Sequence, residues 1–148
     1  MMLTRQKTCH RRGTTIVEMT VVVTIFTMMM FGILEYCLIV YASNLIDNAA
    51  REGARYAVVN ASDATLISDT QTYVKSLMGG LDKNLSGYAC NVYLADTNGN
   101  NIGAPTGAKF GQYICVDVSA NYVPITPGLI YLNKFTIRSK SSMISEAN

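Results

Sequence analysis

The sequence predicts an α+β protein: a long N-terminal helix that crosses a membrane and continues outside it, then a small head with one further helix and a three-stranded antiparallel sheet. Two observations lead to this prediction. Residues 19–42 form an apolar run that contains one charge, Glu35. Between Tyr88 and Ala95 the pattern changes, because side chains there alternate with the period of two that is typical of strands.

The apolar run is long enough to cross a bilayer once. At about 1.5 Å per residue, it forms a helix that covers a hydrocarbon core of about 30 Å with some length left for tilt. An ordinary secretory signal has a shorter apolar core, whereas this run contains Glu35 and continues into more helix. We therefore divide the chain into a basic leader (1–13), a transmembrane helix (14–42), its extramembrane continuation (43–61) and an exported head (62–148).

Charge is distributed unevenly along the chain. Residues 1–13 carry four basic side chains and no acid, whereas the other 135 residues carry eight basic and ten acidic side chains. By the positive-inside rule, the N-terminus is cytoplasmic and the head is periplasmic or extracellular. A basic cluster is also found in nucleic-acid-binding proteins, but beside a membrane span it is a topology signal. We therefore expect membrane lipid, and no nucleic acid, as a partner.

The start of the apolar run has a recognisable arrangement. Gly13 ends the basic segment, and Glu18 would be the fifth residue of a chain cut after that glycine. This placement resembles the leader of type IV pilins, in which a short basic leader and a glycine precede an apolar helix with glutamate at position five. Thr14 stands where pilins usually have an aromatic residue, and this departure points away from a major pilin.

Further segments extend the resemblance to one family. They read RRGTTIVE (11–18), GILEYCLIVY (32–41) and NAAREGARYAV (48–58), with a looser likeness over residues 110–145. Together they resemble the TadE-like family, minor pilin-like proteins of tight-adherence pilus systems. The resemblance implies a pilin-like lollipop shape and a place either in the bacterial inner membrane or on the pilus itself.

The resemblance also implies a function and partners. A prepilin peptidase would cut between Gly13 and Thr14, and Glu18 would face the new α-amine of a neighbouring subunit. The protein would be a minor pilin-like (pseudopilin) subunit needed to assemble a tight-adherence type IV pilus, in contact with other pilin-like subunits and pilus assembly proteins. The alternative is an uncleaved single-pass membrane protein whose exported head binds another envelope component.

The two acids of the apolar helix each have two interpretations. Glu18 is either such a pairing group or only an interfacial acid that the positive end of the helix dipole stabilises. Glu35 lies near the opposite interface, where two tyrosines, Tyr36 and Tyr41, follow it. Its carboxylate either reaches the outer surface or pairs with a partner's helix.

Small residues recur every four positions in the extramembrane part of the helix, at Ala49, Gly53 and Ala57. Such a stripe lets another backbone approach closely. Arg51 and Arg55 follow acids at helical spacings that favour ion pairs. This segment is either a helix with a solvated face or a helix that packs between its own head and neighbouring subunits.

The head elements follow from periodicity and turn residues. A second amphipathic helix contains Leu66 to Leu77 and ends at Gly79 and Gly80. Strands are expected around Tyr88–Ala95, at Tyr113–Tyr122 and at Phe135–Ile144. The segment TNGNN signals a hairpin turn, and the prolines of VPITPG forbid a central strand.

The two cysteines of the head, Cys90 and Cys115, fall on adjacent predicted strands. In an oxidising compartment they are a candidate disulfide, provided that the register brings them opposite each other. The alternative is two reduced core residues.

The composition argues against an enzyme. The one histidine, His10, lies in the leader, no phosphate-binding glycine loop is present, and the acids of the head are scattered. We therefore predict no catalytic residue, no metal site, no cofactor and no small-molecule substrate.

Overall fold

A computed structural model describes residues 12–81, 85–125 and 134–145, with side chains from Thr15 onward. The leader residues 1–11, which include Cys9 and His10, lie outside this part. These described residues form two helices and four strands. They are α1 (Arg12–Val59), α2 (Leu66–Leu77), β1 (Ser86–Ala95), β2 (Asn101–Gly103), β3 (Tyr113–Tyr122) and β4 (Phe135–Ile144).

The long helix α1 is continuous over 48 residues, which corresponds to about 70 Å. Its sequence contains no proline that would interrupt the hydrogen bonds of its backbone. The N-terminal half is exposed from Thr15 to Leu34, apart from half-buried Gly32. From Glu35 onward one face of the same helix is buried against the head. The expected α+β architecture with a long apolar helix is therefore confirmed.

A line of small buried residues lets α1 pack closely against the head. Its members are Ala42 and, from seven residues later, a set that recurs at spacings of three and four: Ala49, Ala50, Gly53, Ala54 and Ala57. We call this line the alanine seam. At its centre, a Cβ atom added to Gly53 would lie 2.4 Å from Val74 Cγ2 of α2 and 3.4 Å from Val116 Cγ1 of β3. Glycine is therefore needed where α1 meets both α2 and the sheet.

Helix α2 packs beside α1 through Leu66, Thr70 and Val74, which are all buried. The rings of Tyr56 and Tyr73 stack with their centroids 4.8 Å apart, which adds an aromatic contact between the two helices. The helix ends before Gly79, whose positive φ of 57° turns the chain at little steric cost.

The sheet is antiparallel with the strand order β2-β1-β3-β4. Alternate side chains of β3 form the inner face, and Ile114, Val116 and Val118 are fully buried in the core that contains the alanine seam. The opposite, outer face carries polar residues such as Asp117 and Lys140. Both helices contact strands of this sheet, and the core lies between the helices and the inner face.

The predicted count of three strands is wrong by one. The expected meander is present as β1, β3 and β4, and the bounds of β3 and β4 agree with the prediction. The additional strand is β2, which follows the turn at Gly99 (φ 77°) and pairs Gly103 with Leu94. A strand of three exposed residues is too short to show an alternating pattern, and this explains why the sequence did not reveal it.

The candidate disulfide between Cys90 and Cys115 is not formed, and both buried thiols are free. In the sheet, Cys90 pairs with Val118, whereas Cys115 pairs with Tyr93. Because neighbouring side chains point to opposite faces of a strand, Cys90 joins the inner core and Cys115 packs with Tyr93 on the outer face. Burial raises the pKa of the Cys90 thiol to about 11, so this thiol is protonated at neutral pH.

We expect Gly53→Ala to destabilise the head. The gain in helix propensity, up to about 1 kcal/mol, is smaller than the cost of about 1–3 kcal/mol for overpacking against Val74. Thermal unfolding of the full chain in detergent micelles, followed by circular dichroism, measures the change. Gly32→Ala is the matched control, because a Cβ atom there meets nothing within 4 Å. The packing account is wrong if Gly53→Ala raises the melting temperature.

Candidate functional site

The exposed half of α1 carries most of the exposed large apolar side chains of the described residues. Its side chains from Ile16 to Leu34 include six exposed valine or isoleucine residues in the first ten positions alone. The twenty residues from Thr15 to Leu34 span about 30 Å, the thickness of a bilayer hydrocarbon core. Within the described residues, α1 is the one helix that is long and apolar enough to cross a membrane.

Glu18 lies near the N-terminal end of this surface and is exposed. It is seventeen residues before Glu35, which places the two acids about 25 Å apart along the axis and about 100° apart around it. The side chains between them are exposed, apart from half-buried Gly32. The two acids therefore occupy different environments, since only Glu35 is enclosed by the head.

Three threonines of the exposed half, Thr20, Thr24 and Thr27, satisfy their hydroxyls within the helix. Each hydroxyl donates a hydrogen bond of 2.8 Å to the carbonyl oxygen four residues earlier. Because these hydroxyl protons are already bonded, the helix presents a mainly apolar surface along this stretch.

Glu35 joins the helix to the head. Its side chain is only 2% exposed. The Tyr122 hydroxyl donates a hydrogen bond of 2.7 Å to Glu35 Oε1, and the backbone N–H of Ile125 donates one of 3.1 Å to the same oxygen. We call this contact the Glu35 junction. It connects the middle of α1 to the end of β3 and the segment that follows it.

The Glu35 junction suits a carboxylate. A buried acid is costly unless hydrogen bonds or charges compensate it, and here two donors converge on one oxygen. Burial, and then the bond to Glu35, raise the pKa of Tyr122 to about 12, so this hydroxyl keeps its proton at neutral pH. The ring of Tyr122 also contacts the ring of Phe135 at a centroid distance of 5.6 Å. This contact connects the start of β4 to the Glu35 junction.

The role expected for Glu35 needs correction. Its carboxylate neither extends to the outer surface nor faces a partner's helix, because it accepts hydrogen bonds from the head of its own chain. The sequence shows no signal for this pairing, since Tyr122 and Ile125 follow Glu35 by about ninety positions. Only the fold brings them together.

The predicted packing residues of the extramembrane segment divide into two groups. Ala49, Gly53 and Ala57 belong to the alanine seam and are buried against the head of the same chain. Arg51 and Arg55 are exposed, and Arg51 forms an ion pair with Asp47. The small-residue stripe therefore serves contacts within the chain, and the face left open to other molecules carries the arginines.

One further polar contact escaped the sequence analysis. On the outer face of the sheet, Arg138 Nε donates a hydrogen bond of 2.8 Å to Asp117 Oδ1, and the two side chains form an ion pair. The carboxylate is buried, and its hydrogen bond with Arg138, followed by its charge, raises the pKa of Arg138. This pair stabilises β3 against β4. No cluster of three or more metal-ligating side chains occurs in the described ranges.

The predicted cleavage site lies at the beginning of α1. The backbones of Gly13 and Thr14 are helical and directly precede the exposed apolar half. Cleavage between them remains a prediction, as does the division of α1 into membrane and extramembrane parts at residue 42.

Comparison with known proteins identifies one similarity. Residues 13–55 match the family model described as TadE-like protein. The resemblance expected from the sequence is thereby confirmed over this range, which includes Glu18 and Glu35 and ends before the head. The searches of curated proteins and of solved structures found no match. The family match and the candidate membrane helix fit a membrane protein related to Tad pili.

We expect Tyr122→Phe to lower the free energy of unfolding by about 1.5–3 kcal/mol, because it removes a hydrogen bond to a buried charged group. Urea unfolding of the full chain in micelles measures the loss, and Tyr56→Phe, which keeps the ring stacked on Tyr73, is the matched control.

The loss of stability caused by Tyr122→Phe should depend on pH. The folded-state pKa of Tyr122, about 12, lies above the ordinary value of 10.0. Its contribution is therefore complete below pH 10 and is lost as the pH rises through 12. The stability difference between the native chain and Tyr122→Phe should shrink across that range. An unchanged difference would contradict the proposed bond.

Proposed function

We propose that this protein is a minor pilin-like subunit that is needed to assemble a tight-adherence type IV pilus, and that it acts through α1 within the inner membrane. The observation that carries the proposal is the exposed apolar half of α1, which contains Glu18 and which the head leaves uncovered. The match of residues 13–55 to TadE-like proteins supports it. That family is structural and pilus-associated, so a role without catalysis is the natural one.

The proposal gives Glu18 a partner outside the chain's own head. A charged side chain within a bilayer costs about 2.5–3.5 kcal/mol at the centre and less toward the interface. An ammonium group at the same depth offsets this cost when the geometry allows a hydrogen bond. Cleavage after Gly13 would create such a group, the α-amine of Thr14, close to the depth of Glu18. A neighbouring subunit that donates this amine would set the axial stagger between the two helices.

The exposed surface above Glu18 would supply the remaining contact between subunits. Valine, isoleucine and methionine side chains dominate it, and methionine adapts easily to different neighbours. In a membrane such helices associate by close packing and by polar pairs, because lipid offers no hydrophobic driving force between them. One polar pair at Glu18 within an otherwise apolar surface would therefore determine register without preventing assembly with different pilin-like partners.

We expect a prepilin peptidase to remove residues 1–13. Coexpression of the full chain with the peptidase, followed by N-terminal mass spectrometry, should show Thr14 as the first residue. The chain expressed without the peptidase, and a Gly13→Val variant expressed with it, are the controls and should keep Met1. If the native chain keeps Met1 beside an active peptidase, cleavage does not occur, and the alternative of an uncleaved single-pass membrane protein, whose head would bind another envelope component, replaces this proposal.

We expect Glu18→Gln to reduce pilus assembly strongly in the native host while the protein still reaches the membrane. The neutral side chain removes the partner for the α-amine but leaves the apolar surface unchanged. Pilus yield by electron microscopy and the amount of protein in the membrane fraction are the measurements. Glu52→Gln, the same change in the extramembrane part of α1, is the matched control. A normal pilus yield in Glu18→Gln cells would remove the proposed role of this acid.

A further inference from the structure

The end of the head nearest the exposed half of α1 carries exposed apolar side chains. Ile125 is 72% exposed and Val123 is 39% exposed. They follow the last residue of β3, Tyr122, which belongs to the Glu35 junction. On the adjacent surface of α1, Leu38 and Tyr41 are also exposed. We call these four exposed residues, Leu38, Tyr41, Val123 and Ile125, the head base.

The depth of the head base follows from the helix. The exposed apolar residues from Thr15 to Leu34 span about 30 Å, which equals the hydrocarbon thickness of a bilayer. Glu35 is the next residue, and its carboxylate accepts a hydrogen bond from the Ile125 backbone. The backbone of Ile125 is therefore fixed at the level where α1 would leave the hydrocarbon.

We propose that the head base docks on the outer surface of the lipid bilayer, so that the head lies against the membrane. The inference rests on the membrane span assigned to α1 under the proposed function. Lipid is the occupant because the head base is continuous with the exposed apolar side chains of α1 that lie in the same bilayer. Ile125 and Val123 enter the boundary between headgroups and acyl chains, where their apolar surface leaves water.

The residues around the head base suit this boundary. Tyr36 and Tyr41 are exposed on α1, and tyrosine is enriched at membrane–water interfaces because its ring is apolar and its hydroxyl is polar. Lys134, directly before β4, is exposed and adds a positive charge that anionic headgroups attract. Glu35, which would be repelled by such lipids, is instead enclosed by its hydrogen bonds to the head.

The chain offers a direct test because it contains no tryptophan. Three single variants of the full chain are reconstituted in phosphatidylcholine vesicles that carry bromine at defined positions of the acyl chains. Ile125→Trp reports on the head base. Phe26→Trp reports on the middle of the span, and Phe110→Trp reports on an equally exposed site near the opposite end of the head, where Phe110 is 73% exposed.

The expected result has three parts. Phe26→Trp fluorescence is quenched most by bromine near the centre of the bilayer. Ile125→Trp fluorescence is shifted to the blue, is quenched most by bromine near the headgroups and is protected from aqueous iodide. Phe110→Trp fluorescence is quenched by iodide and unaffected by bromine. Val123→Trp repeats the measurement at the second exposed residue of the head base and should behave as Ile125→Trp does.

The outcomes separate this inference from the proposed function. If Phe26→Trp is not quenched by bromine, the membrane span itself is wrong. If Phe26→Trp is quenched but the tryptophan at 125 responds to iodide as Phe110→Trp does, the head stands away from lipid and the inference fails. It also fails if the signal at 125 is shifted to the blue without bromine quenching and returns to the red as protein is diluted in lipid, because a second copy then covers the head base.

Discussion

The buried carboxylate of Glu35 is the contact on which the arrangement of the molecule depends. It accepts hydrogen bonds from Tyr122 and Ile125 at the point where α1 stops being exposed and begins to carry the head. A buried acid without these donors would be strongly destabilising. The burial of Glu35 is therefore coupled to the position of the end of β3. The position of the head along the helix follows from this coupling.

Above the Glu35 junction, the alanine seam maintains the same arrangement by packing. Small side chains bring the backbone of α1 close to α2 and β3, and at Gly53 the approach leaves no room for a Cβ atom. Close packing of this kind resists change in either direction, because cavities and overpacking both cost free energy. One helix thus has two surfaces: large apolar side chains outward in its first half, and small side chains inward in its second.

The fold could be predicted largely from local patterns. The apolar run, the alternation along β3 and β4 and the glycines after α2 each reflect a period or a turn within a short segment, and the structure has these elements at the predicted positions. The short strand β2 and the free cysteines were beyond such patterns. Whether Cys90 and Cys115 meet depends on the register of two strands, which no single segment encodes.

The candidate site could be predicted only in part. The sequence identified both acids of α1, but it assigned Glu35 to a surface or a partner, because its actual donors lie about ninety residues away. The ion pair of Asp117 with Arg138 was missed for a related reason, since it requires knowing which faces of β3 and β4 coincide. The small-residue stripe was recognised, yet its spacing does not reveal whether the approaching backbone belongs to the same chain.

Continuity of α1 through the Glu35 junction and the alanine seam has a mechanical consequence. Helix and head turn as one body. A rotation of α1 about its axis by the angle between successive residues would therefore turn the outer face of the sheet through about 100°. The way in which two such helices meet inside the bilayer would then determine which side of each head is presented to the surroundings. Contacts of α1 inside the bilayer would then set the orientation of the head outside it.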